Sequence, residues 1–168
     1  TQGLPALHAA DPAVRRSMGL SVVDAILSLH AVDSETGALD GFGKPEGYLE
    51  RQVPRWMSQL DSYRCRDLPL ADSVGEWLDA NHPDDQPPSL VHGDYKLDNL
   101  IFHPTEPRIL AVIDWELSTL GSPLADLSHC CQAYRWASDH WLLPGLRGAA
   151  LERTGHPTER EFVRGWLT

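Results

Sequence analysis

One polar segment between short apolar stretches constrains the fold of this chain more than any other feature. Residues His92–Asn99 read H-G-D-Y-K-L-D-N, and the apolar stretch Leu100–His103 follows at once. A turn at Pro104–Pro107 separates it from a second apolar stretch, Ile109–Ile113. Two short apolar runs joined by a turn are typical of a β-hairpin. The sequence therefore predicts a small hairpin with polar loops at one end.

Three oxygen-bearing side chains are expected to meet at that end of the hairpin. A loop of four residues separates Asp94 from Asn99 and brings them close together, and Asp114 directly follows the second apolar stretch. A carboxylate and a carboxamide suit Mg²⁺, which completes its shell with substrate phosphates. The second carboxylate is then available to accept a hydroxyl proton. This is the minimal equipment for phosphoryl transfer.

Helical periodicity accounts for most of the remaining sequence, so the fold class is predicted to be α+β and mostly helical. Two helices have clear starts, since Asp11 precedes Pro12 and a capping box joins Thr158 to Glu161. A loop rich in glycine is expected between the first two helices, over residues 34–47. The predicted helices cover about Pro12–Ala31, Leu49–Leu60, a short segment after Ser73, Leu124–Tyr134 and a final segment after Thr158.

Two of these helices carry specific expectations. Pro54 lies within the second helix and should kink it or mark a break. Ser73 and Glu76 form the pattern of a capping box, which predicts the start of the third helix. Val74, Trp77 and Leu78 would then lie on its inner side.

Composition excludes several classes of function. The chain has 168 residues, with 14 Lys and Arg against 24 Asp and Glu, and a formal net charge of −10. It has no basic stripe for a nucleic acid and no polybasic patch for a membrane surface. No apolar stretch is long enough to cross a bilayer. Three cysteines, two of them adjacent, predict reduced core thiols rather than disulfides, and hence a cytoplasmic location.

The motif H-G-D-x-x-x-x-N, followed by I-D-W-E, resembles the aminoglycoside phosphotransferase and choline kinase family, which has a protein-kinase-like fold. Within that family, His92–Leu100 and Val112–Leu127 are most similar to the phosphotransferase domains associated with acyl-CoA dehydrogenases. The D-x-x-x-x-N spacing equals that of the protein-kinase catalytic loop. The resemblance covers the chain but only the carboxy-terminal lobe of such an enzyme.

The resemblance implies a role for each motif residue. Asp94 would accept the proton of the attacking hydroxyl, and Lys96 would neutralise charge on the transferred phosphate. Asn99 and Asp114 would bind Mg²⁺ together with the nucleotide. His92 and Asp126 resemble residues that brace the loop, and no role is assigned to Glu116. The other seven histidines are expected at the surface or satisfied in the core.

The implied activity is transfer of phosphate from ATP to a hydroxyl of a small molecule, either a hydroxyacyl-CoA or an aminoglycoside-like alcohol. The segments Gly47–Met57 and beyond Ala137 are expected to form the acceptor cleft. Two alternatives stay open: a non-catalytic nucleotide-binding or regulatory module, and a Mg²⁺-dependent phosphohydrolase. The sequence does not indicate the oligomeric state.

The sequence departs from the family in lacking a glycine-rich phosphate loop and a strand-rich amino-terminal lobe. We therefore expect residues 1–168 to be a carboxy-terminal lobe, truncated at its end and cut from a longer kinase. Such a lobe alone should be nearly inactive, because losing one positioning contact can cost orders of magnitude in rate.

Overall fold

A computed structural model describes residues 11–34, 37–84, 86–139 and 145–168. Helix α1 covers Pro12–His30, and the Asp11 side chain caps it by accepting a hydrogen bond from the Ala13 N–H at 2.8 Å. The predicted first helix is thus confirmed. None of the helices in these ranges is long and apolar enough to cross a membrane.

Two further helices precede the four short strands, and three follow them. Their bounds are α2 Tyr48–Tyr63, α3 Ala71–Ala80, α4 Leu124–Arg135, α5 Leu151–Thr154 and α6 Glu159–Trp166. Single 3₁₀ turns occur at Gly37–Leu39, Leu97–Asn99 and Trp115–Leu117. The predicted fold class, α+β and mostly helical, is confirmed.

Two small antiparallel sheets carry the polar loops. Strand β2 (Leu100–Phe102) pairs with β3 (Ile109–Val112), with one irregularity in the register, so the predicted hairpin is confirmed. Strand β1 (Ser89–Val91) pairs with β4 (Thr119–Gly121) across the hairpin, and the sequence did not predict this second sheet. Together the sheets fix the loop after β1 and the loop after β3 at neighbouring positions.

The core lies between α1, α4, α6 and the loop after β1. Buried residues of α1 pack against Tyr95 of the loop, Leu127 of α4 and Phe162 of α6. The α1 residues with little or no exposure are Met18, Val22, Val23, Ile26 and Leu29. Tyr95 is fully buried, and its hydroxyl donates to the Val22 carbonyl at 2.8 Å. The loop that carries the candidate site is therefore anchored directly in the core.

Helices α2 and α3, which we call the helical arm, differ from the predictions in two ways. Pro54 does not break α2, so of the two predicted outcomes, a kink or a break, the break was wrong. Pro54 is exposed, so water can solvate the carbonyl that loses its partner. Ser73 does not cap α3: the helix begins at Ala71, and the Ser73 hydroxyl donates to the Leu70 carbonyl. The capping-box pattern of Ser73 and Glu76 is present in the sequence, but no helix begins there.

The predicted inner side of α3 was also wrong. Val74, Trp77 and Leu78 are 51%, 62% and 45% exposed, and Gly75 is the buried residue of this helix. Gly75 packs against Met57 of α2, so the two arm helices meet through a residue without a side chain. The apolar stripe that the sequence shows is therefore about half exposed or more.

The cysteines are free, in agreement with the prediction of no disulfide. Cys130 and Cys131 are partly buried, whereas Cys65 is exposed, so the expectation of a core thiol was wrong at Cys65. Of the seven histidines outside the motif, His8 and His140 lie outside the described residues.

Candidate active site

The loop after β1 is held in place by a buried carboxylate on α4. Asp126 is fully buried and accepts hydrogen bonds from the backbone N–H groups of His92 and Gly93, both at 2.8 Å. Its Oδ2 atom also lies 3.2 Å from Nε2 of His30 on α1. The expectation that Asp126 anchors the loop from the following helix is confirmed.

Gly93 fits this position for two physical reasons. Its φ angle is +85°, a left-handed conformation that side chains disfavour. A Cβ atom there would also lie 2.6 Å from the Leu117 carbonyl oxygen, well inside contact distance. The glycine of the H-G-D motif therefore lets the loop after β1 pass close to the turn after Asp114.

His92 joins the two loops of the site. Its ring is fully buried; Nε2 lies 3.0 Å from the Ile113 carbonyl oxygen, and Nδ1 accepts from the Asp94 backbone N–H at 3.3 Å. These partners assign the proton to Nε2, since a carbonyl only accepts and a backbone N–H only donates. The ring also packs on Trp115, with 4.8 Å between centroids. The predicted bracing role of His92 is confirmed.

Asp94 lies at the centre of a cluster of polar contacts. Its Oδ2 atom accepts from the Lys96 ammonium at 2.5 Å and from the Asn99 carboxamide at 3.0 Å. The Asn99 carboxamide also donates to the Asp94 backbone carbonyl at 2.9 Å. On the other side, His129 Nε2 lies 3.3 Å from Oδ1. The structure thus brings Asp94, Lys96 and Asn99 together, as the sequence predicted.

These contacts determine the ionisation of the cluster. Burial alone would raise the pKa of Asp94, but the hydrogen bonds from Lys96 and Asn99 and the nearby positive charge together hold it below its usual value. The bond to Asp94 raises the pKa of Lys96, and the charges of Asp98 and Asp114 act in the same direction. At neutral pH the pair is a carboxylate and an ammonium.

Asp114 occupies a distinctive backbone position beside this cluster. Its φ of 68° and ψ of 59° are left-handed, and it is the only residue other than glycine with positive φ among those the structure describes. Such conformations cost about 1–3 kcal/mol and tend to occur at functional sites. Its side chain is exposed and has no hydrogen bond or ion pair within the described ranges. Its carboxylate is therefore open to solvent, and its charge acts on Lys96.

Sequence reasoning missed one histidine of the site and did not identify the partner of another. His129 was grouped with surface and core histidines, yet it lies beside Asp94. His30 is satisfied in the core, as expected of that group, but its partner is the carboxylate that anchors the loop. The i, i+3 spacing of Asp126 and His129 on α4 was the available signal, because it places both on one helix face.

The fold and the site together define a class: a kinase-like α+β fold in which Asp94, Lys96 and Asn99 cluster at one end of a hairpin, with Asp114 following its second strand. A family model described as the phosphotransferase enzyme family matches residues 1–166. The chain belongs to that family.

Curated relatives have the same domain within much longer proteins. Acyl-CoA dehydrogenase family member 10 of Mus musculus is 39% identical over 160 residues, which are 95% of this chain and 15% of the relative. Family member 11 of Gallus gallus is 45% identical over 126 residues, 74% of this chain and 16% of the relative. Family member 11 of Homo sapiens is 38% identical over 153 residues, 90% of this chain and 19% of the relative.

Solved structures give the same assignment. A protein from Ralstonia eutropha JMP134 that is assigned to the aminoglycoside phosphotransferases has a TM-score of 0.84 and 38% identity, over 93% of this chain and 47% of its own. An aminoglycoside-3'-phosphotransferase of type VIII has a TM-score of 0.60 and 20% identity, over 99% of this chain and 64% of its own. The latter likeness shows the fold alone. The chain thus spans less than half of the Ralstonia protein and a fifth or less of the curated relatives.

Proposed function

We propose that the complete protein transfers the γ-phosphoryl group of ATP to a hydroxyl of a small molecule, with Mg²⁺. The single observation that carries this proposal is the cluster around Asp94, where Lys96 and Asn99 contact one carboxylate oxygen. As the hydroxyl oxygen bonds to phosphorus and the bond to ADP breaks, the hydroxyl proton moves to Asp94. Lys96 offsets the charge that develops on the transferred group.

Asn99 and Asp114 are the residues that would hold Mg²⁺. Both offer oxygen, the donor that this ion prefers, and Mg²⁺ needs only one or two protein carboxylates when phosphates supply the rest. The exposed, unpartnered carboxylate of Asp114 fits this requirement. No group of three or more His, Cys, Asp or Glu side chains able to hold a metal occurs within the described ranges, which argues against a site built by the protein alone. Bound Mg²⁺ would neutralise the phosphate charge.

The acceptor that we favour is an anionic one, a hydroxyacyl thioester of coenzyme A. A cleft of about 490 Å³ opens between α2 and β4. Its lining has three cations, Lys44, Arg51 and Arg55, against one acid, Glu50, in a chain with a net charge of −10. Arg51 is held by the backbone carbonyls of Lys44 and Glu46. This charge favours a phosphate-bearing acceptor over a cationic aminoglycoside. The names of the curated relatives point the same way.

We further propose that the protein works in a reducing compartment such as the cytoplasm. The support is the chemistry of its three thiols, which are all free. Burial raises the pKa of the Cys130 thiol, which stays protonated and donates to the Tyr95 carbonyl at 3.3 Å.

The test measures phosphorylated acceptor and free phosphate with the full natural protein, ATP and Mg²⁺, using a hydroxyacyl-CoA or an aminoglycoside as acceptor. Asp94→Asn should lower kcat by about 10²-fold or more and leave nucleotide binding intact, because the base acts on a proton in transit. Asp114→Ala should abolish Mg²⁺-dependent nucleotide binding. Asp79→Asn, on the exposed face of α3, is the matched control and should behave as wild type.

The alternatives correspond to distinct outcomes. Release of free phosphate without phosphorylated acceptor would indicate a phosphohydrolase. Nucleotide binding without turnover would indicate a regulatory module. Wild-type rates in both Asp94→Asn and Asp114→Ala would contradict the assignment of the site. Faster transfer to the aminoglycoside than to the hydroxyacyl-CoA would contradict the preference for an anionic acceptor.

A further inference from the structure

A chain of buried and partly buried hydrogen bonds connects the carboxy-terminal end of α6 to the loop that carries Asp94. The Trp166 indole N–H donates to Nδ1 of His30 at 3.2 Å, and Nε2 of His30 lies 3.2 Å from Oδ2 of Asp126. Asp126 in turn accepts the backbone N–H groups of His92 and Gly93. The contact between His30 and Trp166 joins residues that are 136 positions apart in sequence.

We infer that His30 is a positioning residue, which holds the Asp94 loop through Asp126. The inference rests on the proposed function, in which Asp94 accepts the hydroxyl proton. His30 touches neither Asp94 nor any reacting atom; its effect is on the orientation of the Asp126 carboxylate and, through it, on the two backbone N–H groups before Asp94.

Trp166 decides which nitrogen of His30 carries a proton. An indole N–H is only a donor, so Nδ1 of a neutral His30 must be the acceptor. The proton then lies on Nε2 and points at Asp126 Oδ2. The edge-on packing of the two rings, with centroids 6.1 Å apart, keeps the imidazole in this orientation. His30 therefore acts as a fixed donor.

Burial makes the orientation of Asp126 important. Its side chain is fully buried and that of His30 is 7% exposed, so water has little access to replace either partner. Oδ1 of Asp126 has one N–H partner, Gly93, whereas Oδ2 receives both the His92 N–H and His30. Without His30, Oδ2 keeps a single partner in a buried site, and the carboxylate can rotate. A shift of about 1 Å in a positioning group can cost about 10²-fold in rate.

Two variants of His30 separate positioning from stability. His30→Leu removes both hydrogen bonds at similar volume, whereas the amide of His30→Gln can accept from Trp166 and donate to Asp126. Met18→Ala is the matched control. Met18 is also on the buried face of α1, but it lies about three helical turns before His30. Two quantities are measured: kcat and KM for ATP in the full natural protein, and hydrogen exchange at the His92 and Gly93 amides.

His30→Leu should lower kcat at least about tenfold with KM changed less than about threefold, since ground-state nucleotide contacts remain. It should also speed exchange at the two amides at least about tenfold beyond any change in global stability. His30→Gln should recover most of both losses. Met18→Ala should unfold more readily and leave kcat unchanged.

The inference is overturned if His30→Leu resembles Met18→Ala in both kcat and exchange at the two amides, or if His30→Gln is as impaired as His30→Leu. If His30→Leu does not fold, His30→Gln is compared with wild type for exchange at the His92 and Gly93 backbone amides. The Gln side chain can donate to Asp126 in place of His30. Loss of protection at the two backbone amides in folded His30→Gln protein would therefore contradict the inference. If Asp94→Asn retains full turnover, the proposed function fails, whereas the exchange result for His30 stands on its own.

Discussion

Helix α1 and the helical arm have comparable lengths of helix but very different relations to the rest of the molecule. Five apolar residues of α1 are buried, and three of them, Val22, Val23 and Ile26, belong to the core cluster that includes Tyr95 of the Asp94 loop. No residue of α2 is buried, and Gly75 is the one buried residue of α3. Large apolar side chains of the arm, such as Trp56 and Trp77, are about half exposed or more.

The difference assigns a separate task to each region. Buried apolar and hydrogen-bonded groups give high local stability, whereas exposed helices with few buried contacts open more easily. We therefore expect the region around α1, α4 and α6 to hold the Asp94 loop rigidly. The arm, which lines the basic cleft, is expected to be less stable. In the proposed function, proton transfer and acceptor recognition then belong to regions of different stability.

The largest expected effect comes from removing the carboxylate that ties α4 to the loop. Asp126→Ala leaves two backbone N–H groups and His30 without their acceptor in a buried site. We expect the free energy of unfolding to fall by about 3–5 kcal/mol, the usual cost of breaking a buried polar pair. Denaturant titration measures this change.

Asp79→Ala on the exposed face of α3 is the control in the arm. It should change the free energy of unfolding by less than about 0.5 kcal/mol, as surface substitutions usually do. Equal effects of Asp126→Ala and Asp79→Ala would contradict the division of the molecule into a rigid region and an arm.

A pair of glycines sharpens the comparison. An alanine at position 93 meets the Leu117 carbonyl at 2.6 Å and has an unfavourable positive φ, so Gly93→Ala should cost about 2–3 kcal/mol. Gly75→Ala in α3 meets only the flexible end of Met57, at 3.1 Å, and gains helix propensity, so its net effect should be within about 1 kcal/mol. Thermal unfolding of both variants measures the difference. A larger loss in Gly75→Ala would show that the arm is packed more tightly than the structure indicates.

The sequence predicted the rigid region well because local pattern and burial agree there. The apolar periodicity of α1 coincides with its buried face, and Thr158 forms the expected capping box with Glu161. The hairpin followed from two apolar runs and a turn. The spacing of Asp94 and Asn99 also predicted that they would meet, since four intervening residues leave little freedom.

The failures have physical causes as well. The stripe of Val74 and Trp77 has helical spacing, but periodicity gives no information on whether another element covers the stripe. Strands β1 and β4 are three residues long and far apart in sequence, too short for alternation to be visible. His129 reaches Asp94 only because α4 packs against the loop. Its i, i+3 spacing from Asp126 places both on one helix face, but spacing alone does not show which loop that face meets.

The smallest expected effect concerns the cap of α6, whose contribution to stability is lost in acid. Glu161 on α6 accepts from the Arg16 guanidinium and from the backbone N–H and hydroxyl of Thr158, and these contacts lower its pKa from 4.5 to about 2. A carboxyl with a lowered pKa stabilises the fold above its unfolded-state value, and this contribution is lost as pH falls from 4.5 towards 2. Glu161→Gln should therefore be less stable than wild type at pH 6, and its stability should depend less on pH across that acidic range.

The matching change in the arm is Glu76→Gln. Within the described ranges Glu76 makes no hydrogen bond or ion pair, and the backbone start of α3 has no side-chain cap. Unfolding monitored by circular dichroism from pH 6 to pH 2 should therefore show the wild-type slope in Glu76→Gln and a flatter one in Glu161→Gln. Glu76→Gln and Glu161→Gln could instead show the same dependence of unfolding free energy on pH. The loss of stability in acid would then not arise from the Glu161 cap that joins α6 to α1. The rigid region would owe its stability to the apolar core and the Asp126 network alone.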